Sequence, residues 1–239
     1  MNRIIPVFVF AFCVQPAFSQ LRVADSATYP LAAQQAIATF QQAVSVQKEI
    51  YTGPEHFGYL PTIEGLPYLF TKEWLPGAVV YDGILYPDVR LKYDVVKDKL
   101  VLKRLDAFAI ELRSEKISLF NLPQHTFIYL NNVNAIGLEP GFYERLSSGA
   151  LTLLVKHKKR LEERIEENKY HQRFLDEATY YAIRGNRSVV VKNAGTVLNL
   201  VGNKKGEIQQ ALKKEGIKFK SNKEQALRFI ADYYNTNQP

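Results

Sequence analysis

Apolar and polar residues alternate through the middle of the chain, from about Val79 to Lys192. VRLKYDVV, residues 89–96, and FAIELR, residues 108–113, place apolar side chains at every second position. A period of two is typical of β-strands with one buried face. Shorter apolar runs recur at KLVLKRL, KISLFNL, TFIYLNN, GFYERLSSGALTLLVK and TYYAIRGNRSVVVK. The pattern predicts about eight to ten strands.

Short turn signals separate these runs. They are Asp82-Gly83, Lys97-Asp98-Lys99, Ser148-Gly149 and Gly185-Asn186. Hairpin-length turns predict antiparallel neighbours, and a large twisted sheet tends to curl so that less of its edge is exposed. We therefore predict a mainly β (α+β) fold. An antiparallel meander over residues 78–192 curls into a half-barrel or barrel, with an N-terminal helix and a C-terminal helix pair.

Four aspartates lie close together at the start of the meander: Asp82, Asp88, Asp94 and Asp98. Calcium loops space their carboxylates two residues apart around a glycine bend, which this stretch lacks. We interpret Asp82 and Asp98 as turn residues and Asp88, after Pro87, as a strand entry. Asp94 is expected on the solvated face of a strand. A catalytic carboxylate pair remains an alternative, because spacing alone cannot show convergence in a pocket.

The region before the meander, residues 20–77, divides into two parts. Residues 27–50 carry apolar side chains at helical spacing and predict an amphipathic helix that starts after Pro30. Residues 51–77 are rich in proline, glycine and aromatic side chains, which disfavours regular elements. We expect these rings to pack onto the core as a lid or plug.

Two later regions are predicted to be helical. Residues 156–177 are mostly charged, with opposite charges four apart as in Lys158 and Glu162, and predict a solvated helical excursion. Residues 193–239 predict a helix pair. In this pair Gly216 ends the first helix, while Ser221 and Glu224 form a capping box for the second.

The first residues predict export. Arg3, the apolar run from Ile4 to Val14, and Ala17 and Ser19 fit a signal peptide of residues 1–19, cleaved after Ser19. Cys13 is the only cysteine and is removed with this peptide, so the mature chain has no disulfide and no thiolate ligand. No later segment is long and apolar enough to span a membrane.

The net charge of +7 is unevenly distributed. Residues 20–150 carry 12 Lys and Arg against 14 Asp and Glu, whereas residues 151–239 carry 18 against 10. A basic last third fits a soluble surface with lysine-rich helices, or an anionic partner such as a lipid surface. We expect no nucleic-acid partner for an exported protein.

Motifs that would indicate chemistry are lacking. His56, His125, His157 and His171 show no metal-ligand spacing, and the chain has no GxSxG, P-loop or GxGxxG motif. The sequence therefore names no catalytic, cofactor-binding or metal-ligating residue. We expect no cofactor.

A proline–tyrosine–aromatic segment, a tryptophan before the first strand and a Tyr-Asp meander occur at Pro67, Tyr68, Trp74, Tyr81, Gly83, Tyr86, Asp88, Val89, Tyr93 and Asp94. On these residues the chain resembles a family of secreted proteins of Bacteroidota, over about residues 50–239. Leu66, where a polar residue is expected, and the basic C-terminal region depart from the family pattern. The resemblance implies an exported envelope protein and no particular activity.

Three functions remain open. The first is a non-enzymatic protein, periplasmic or associated with the outer membrane, that binds an envelope protein or lipid through an edge strand or the aromatic segment. The alternative is a lipocalin-like carrier of a lipid or apolar small molecule. The third is a carboxylate-based hydrolase. The sequence does not define a partner, strand order or oligomeric state.

Overall fold

A computed structural model of the chain describes residues 49–104, 106, 108–131 and 137–237. The predicted signal peptide lies outside these residues. The predicted N-terminal helix also lies outside them, apart from Glu49 and Ile50, which are helical.

The described residues form ten strands. They are β1 Leu75–Tyr81, β2 Ile84–Asp94, β3 Lys99–Lys103, β4 Ala109–Glu111, β5 Ile117–Leu122, β6 His125–Leu130, β7 Gly141–Ser147, β8 Thr152–Glu166, β9 Lys169–Arg184 and β10 Arg187–Val190.

All ten strands form one antiparallel sheet, which confirms the predicted fold class. Their order is β10-β9-β8-β7-β6-β5-β1-β2-β3-β4. Two meanders, β1–β4 and β5–β10, therefore join where β1 pairs with β5. Within the described chain the sheet is not closed, and β4 and β10 are its edges.

The sheet curls strongly into a half-barrel. Tyr93 on β2 and Phe142 on β7 are four strand spacings apart, which is about 19 Å across a flat sheet. Their ring centroids nevertheless lie 5.7 Å apart. Phe120 and Phe127 stack between them at 4.6 Å with nearly parallel planes. These four buried rings form the centre of the aromatic core, so the two halves of the sheet meet through side chains.

The predicted turns are confirmed in their backbone geometry. Asp82 and Gly83 have φ values of 54° and 80°, as a two-residue hairpin turn requires. Asp98 has a φ of 53° in the β2–β3 turn. Asp88, also at positive φ, lies in a bulge within β2 and not at a strand entry, since the β1–β2 register skips Pro87 and Asp88.

The prediction of a helical excursion at residues 156–177 is wrong. These residues belong to β8 and β9, which form a long two-stranded ribbon closed by Glu167 and Asn168, both at positive φ. Opposite charges face each other across the ribbon, as in Lys158 with Glu177 and Lys159 with Asp176. Cross-strand pairing of this kind stabilises a ribbon as i,i+4 pairing stabilises a helix.

Three helices follow the sheet: α1 Ala194–Leu200, α2 Lys205–Lys214 and α3 Lys223–Thr236. The predicted helix pair is α2 and α3, and the short α1 was not predicted. Gly216, at φ 66°, ends α2 as expected. The predicted cap at Ser221 is wrong. Asn222 occupies that position, because its side chain accepts a hydrogen bond from the Gln225 backbone N–H.

The helices cover one part of the sheet. Val197, Leu198, Leu227, Ile230 and Tyr234 pack against β7–β9 residues in a second core, here the helix core. None of the helices in the described residues combines the length and apolarity needed to cross a bilayer.

The aromatic segment, residues 51–74, crosses the open side of the half-barrel. Glu55 bridges Ile110 on β4, Glu64 bridges Arg173 on β9, and Tyr68 bridges Asp94 at the end of β2. Strands β4 and β9 lie near opposite edges of the sheet. The segment therefore links the two edges by backbone hydrogen bonds, as expected for a lid on the core.

Candidate functional site

Asp94 is buried, which corrects the expectation that it faces solvent. Its side chain is completely inaccessible. Oδ1 accepts hydrogen bonds from the backbone N–H groups of Val96 and Lys97 at 3.0 Å, and the Tyr59 hydroxyl donates to the carboxylate at 3.0 Å. Burial raises the pKa of Asp94, and these hydrogen bonds oppose the rise.

His56 connects a second carboxylate to the same network. Its Nδ1 donates to Glu111 Oε1 at 2.9 Å, and its Nε2 lies 3.0 Å from the Tyr68 hydroxyl and 3.8 Å from Asp94 Oδ2. Burial would raise the pKa of Glu111, but hydrogen bonds from His56 and Lys97 hold it below its ordinary value. We call His56, Tyr59, Tyr68, Asp94 and Glu111 the tyrosine–aspartate clamp.

The clamp fits a structural role better than a catalytic one. Three of its members belong to the aromatic segment and two to the sheet, so it fastens one to the other. Burial, followed by the Asp94 charge, raises the pKa of both Tyr59 and Tyr68, which keeps the phenols protonated. A hydrolase would need an accessible carboxylate pair, whereas Asp94 is sealed beneath Tyr59.

A partly buried ion pair links β8 to the turn that follows β2. Lys156 Nζ on β8 donates to Asp98 Oδ2 at 2.5 Å and to the Phe142 carbonyl at 3.1 Å. Asp98 Oδ1 accepts from the Tyr93 hydroxyl. The pair fits because Gly141 has no side chain: a Cβ there would lie 2.3 Å from both charged atoms. It joins the β2–β3 turn to the other half of the sheet.

A second polar cluster lies across three adjacent strands. Glu144 on β7 is only 2% exposed, and each of its oxygens accepts one histidine N–H. His125 Nδ1 on β6 donates to Oε1 at 2.6 Å, and His157 Nε2 on β8 donates to Oε2 at 2.7 Å. Arg228 of α3 approaches to 3.8 Å. We call His125, Glu144 and His157 the histidine–glutamate cluster.

The histidines determine the charge of this buried carboxylate. Burial alone would raise the pKa of Glu144, but hydrogen bonds from His157 and His125 hold it below the ordinary value of 4.5. The two imidazoles contact different carboxylate oxygens.

The histidine–glutamate cluster is not a metal site. Across the described residues, no set of three His, Cys, Asp or Glu side chains is arranged to hold a metal ion.

A groove of about 590 Å³ opens beside this cluster, between the aromatic segment and the β8–β9 ribbon. Leu69, Phe70, Val95 and Phe174 give it an apolar part. The polar part of the lining is His157, Lys158, Lys159, Asp176 and Glu177. We call it the ribbon groove.

Phe70 is the most unusual residue of the ribbon groove. Its φ of 67° is a genuine outlier for a bulky side chain. Its ring lies 4.2 Å from the His125 ring while 47% of the residue is exposed. Strain of this kind costs about 1–3 kcal/mol and persists only where the surroundings impose it. Lys159, which donates to the Leu66 carbonyl at 2.8 Å, fixes the neighbouring backbone.

Sequence reasoning missed the histidine–glutamate cluster. Its members are far apart in sequence, and no spacing rule links them. One signal was present: His125, Glu144 and His157 each lie two positions from a core residue, Phe127, Phe142 and Val155. A polar side chain at a core-facing position of an alternating strand indicates a buried polar contact.

Replacing Glu144 by glutamine tests the electrostatics of the cluster. Because the folded-state pKa of Glu144 is depressed, its stabilising contribution is present above pH 4.5 and is lost as the pH falls through the folded value. We expect wild type to lose stability relative to E144Q over that acidic window. Urea unfolding measured from pH 6 to about pH 3 gives the difference. A constant difference across the window would contradict the assignment.

The comparisons with known proteins are negative. No family model matches the chain, and no curated protein or solved structure is significantly similar to it.

Proposed function

We propose that the protein is an exported, non-enzymatic envelope protein that binds another envelope component through the ribbon groove. The observation that carries this proposal is Phe70, a strained and half-exposed ring held against the histidine–glutamate cluster at the border of the groove. Export, and a periplasmic or outer-membrane-associated location, rest on the predicted signal peptide and on the resemblance to secreted Bacteroidota proteins.

The aromatic segment supports a binding role in a second way. Phe57 and Leu60 are largely exposed and Phe70 is half-exposed, although most aromatic side chains among the described residues are buried or half-buried. Exposed apolar side chains gathered on one segment are typical of interaction surfaces. The ribbon groove, which Phe70 lines, has both apolar and charged walls, which suits a protein partner with mixed side chains.

The packing inside the half-barrel favours this proposal over the lipocalin-like carrier. A carrier needs an apolar cavity within the curled sheet. Here Tyr93, Phe120, Phe127 and Phe142 occupy that space, with ring centroids 4.6–5.7 Å apart. A lipid that co-purifies with the protein in native mass spectrometry would support the carrier instead.

Site-specific photo-crosslinking tests the binding proposal. A photoreactive phenylalanine analogue is placed at Phe70 in the full chain, in cells that naturally produce it, and at Leu85 as the control. Leu85 is 59% exposed but lies at the opposite end of β2 from Asp94. We expect position 70 to capture one recurrent envelope partner that position 85 does not.

The purified partner then provides the quantitative test. Removing a central aromatic side chain costs an interface about 2 kcal/mol or more, so F70A should weaken binding at least about 30-fold. L85A should leave the affinity unchanged. Equal capture at both positions, or equal affinity of F70A and wild type, would count against the ribbon groove as the binding site.

A further inference from the structure

The basic character of the C-terminal third is confined to a short part of the chain. Residues 184–223 contain ten Lys and Arg but only two Asp and Glu. Among the described residues, Lys204 with Glu207 is the only ion pair made by these ten cations. In the β8–β9 ribbon, by contrast, cations such as Lys159, Arg160 and Arg173 pair with carboxylates. The excess charge is therefore not compensated within the described chain.

Part of this charge lines two adjoining grooves between the β9–β10 turn and α1. Their volumes are about 570 and 380 Å³, and both are lined by Arg187, Asn199 and Leu200. Arg184 and Tyr234 line the larger one. Neither lining contains an aspartate or glutamate. We call the two together the basic groove.

The cations of the basic groove are positioned and have unused donors. Arg184 Nη1 donates to the Leu200 carbonyl at 2.6 Å, and its guanidinium lies 5.5 Å from the centre of the Tyr234 ring. This fixes the guanidinium, and the described residues accept only one hydrogen bond from its five N–H donors. Lys205 Nζ donates to Asn199 Oδ1 at 2.9 Å, which brings a third cation to the rim. Arg187 is exposed and contacts no carboxylate of the described chain.

We infer that the basic groove binds a phosphate group carried by a larger anionic molecule. Guanidinium groups match the paired oxygens of phosphate in a planar, bidentate arrangement. The groove is larger than one phosphate, so it has room for the part of the ligand that carries it. Its concave form suits a headgroup or small phosphate ester better than a nucleic-acid duplex. This site is separate from the ribbon groove and does not depend on it.

Two probes, each used with the full chain, distinguish a phosphate carried by a lipid headgroup from one carried by a soluble compound. One is vesicles of phosphatidylcholine with or without phosphatidylglycerol, and the other is inorganic phosphate measured by calorimetry. We expect the protein to bind vesicles that contain phosphatidylglycerol and not vesicles of phosphatidylcholine alone. This binding should weaken as the salt concentration rises, and inorganic phosphate should compete with it. Phosphate binding without vesicle binding would also support the site and assign it to a soluble phosphate compound.

Matched variants locate the binding. Each cation near an anionic surface contributes about a factor of five, so R184Q/R187Q should bind about 30-fold more weakly and R187Q about five-fold more weakly. The Arg187 side chain makes no hydrogen bond or ion pair with a described residue, so R187Q keeps the test valid if the double variant is unstable. K72Q/R90Q removes the same charge at exposed positions on another part of the fold and should change binding less than about two-fold.

Three results would overturn the inference. The first is an equal loss of affinity for the anionic vesicles in R184Q/R187Q and in K72Q/R90Q. The second is that wild type binds neither the vesicles nor inorganic phosphate. The third is that wild type prefers a DNA duplex and that R184Q/R187Q abolishes this binding. The first would indicate general charge attraction, and the third a nucleic-acid surface.

Discussion

Replacing Phe127 by alanine is expected to lower the free energy of unfolding by about 3–5 kcal/mol. Phe127 is completely buried, stacks on Phe120 at 4.6 Å and lies 5.4 Å from Tyr93. Its ring sits where the two halves of the curled sheet meet. The substitution leaves a cavity that surrounding strands cannot fill without changing the curl of the sheet.

Equilibrium unfolding in urea measures this loss, and F57A is the matched control. Phe57 is 71% exposed, so the same truncation there should cost less than about 0.5 kcal/mol. A cost below about 1 kcal/mol for F127A would mean that the aromatic core does not hold the half-barrel together.

The second large effect is expected from Gly141→Ala. A Cβ at this position would lie 2.3 Å from Asp98 Oδ2 and from Lys156 Nζ, so the ends of both side chains would have to shift and their pairing would be weakened. The Lys156 side chain is 5% exposed and that of Asp98 30%, so weakening this partly buried pair should cost about 1–3 kcal/mol. The φ of 139° adds backbone strain of about 1 kcal/mol or more.

Gly83→Ala separates the two contributions. Gly83 also has a positive φ, 80°, but a Cβ there would contact nothing within 4 Å. G83A should therefore lose only the backbone part, about 1–2 kcal/mol. Thermal and urea unfolding of both variants measure the difference. Equal destabilisation of G141A and G83A would show that weakening the Asp98–Lys156 ion pair does not lower the free energy of unfolding.

The strands could be predicted from the sequence because alternation and turn chemistry agree. Asp82-Gly83 and Gly185-Asn186 take the backbone geometry that their residue types favour, and the apolar positions between such turns face a core. The order of the strands could not be predicted. Placing β1 between β2 and β5 depends on long-range pairing, which local patterns do not encode.

The β8–β9 ribbon shows why one element was assigned wrongly. Leu161 and Ile165 are four residues apart, which places them on one face of a helix and equally on one face of a strand. Opposite charges four residues apart, such as Lys158 and Glu162, likewise fall on one face of either a helix or a strand. The turn at Glu167 and Asn168 lacks the glycine that usually marks a two-residue hairpin, so nothing local favoured the ribbon.

The polar sites could be predicted least. Asp94 occupies a polar position of an alternating strand, and residues distant in sequence, such as His56 and Tyr59, contact it in the folded chain. The histidine–glutamate cluster needs the register of three strands to be known. The C-terminal charge excess was visible, but its concentration around a groove follows from the packing of α1 against the β9–β10 turn.

The aromatic segment is fastened across the open side of the half-barrel, and this attachment creates the ribbon groove. Amide hydrogen exchange tests the attachment without any substitution. The Phe174 amide donates to the Glu64 carbonyl and the Glu64 amide to the Gln172 carbonyl, each at 2.9 Å. Strand alternation turns the Asp176 and Ala178 amides to the same edge of β9, where no described residue accepts a backbone hydrogen bond from them.

We predict that the amides of Glu64 and Phe174 exchange at least about tenfold more slowly than those of Asp176 and Ala178, after correction for intrinsic rates. Equal, fast exchange at all four positions would show that the aromatic segment does not bridge the sheet.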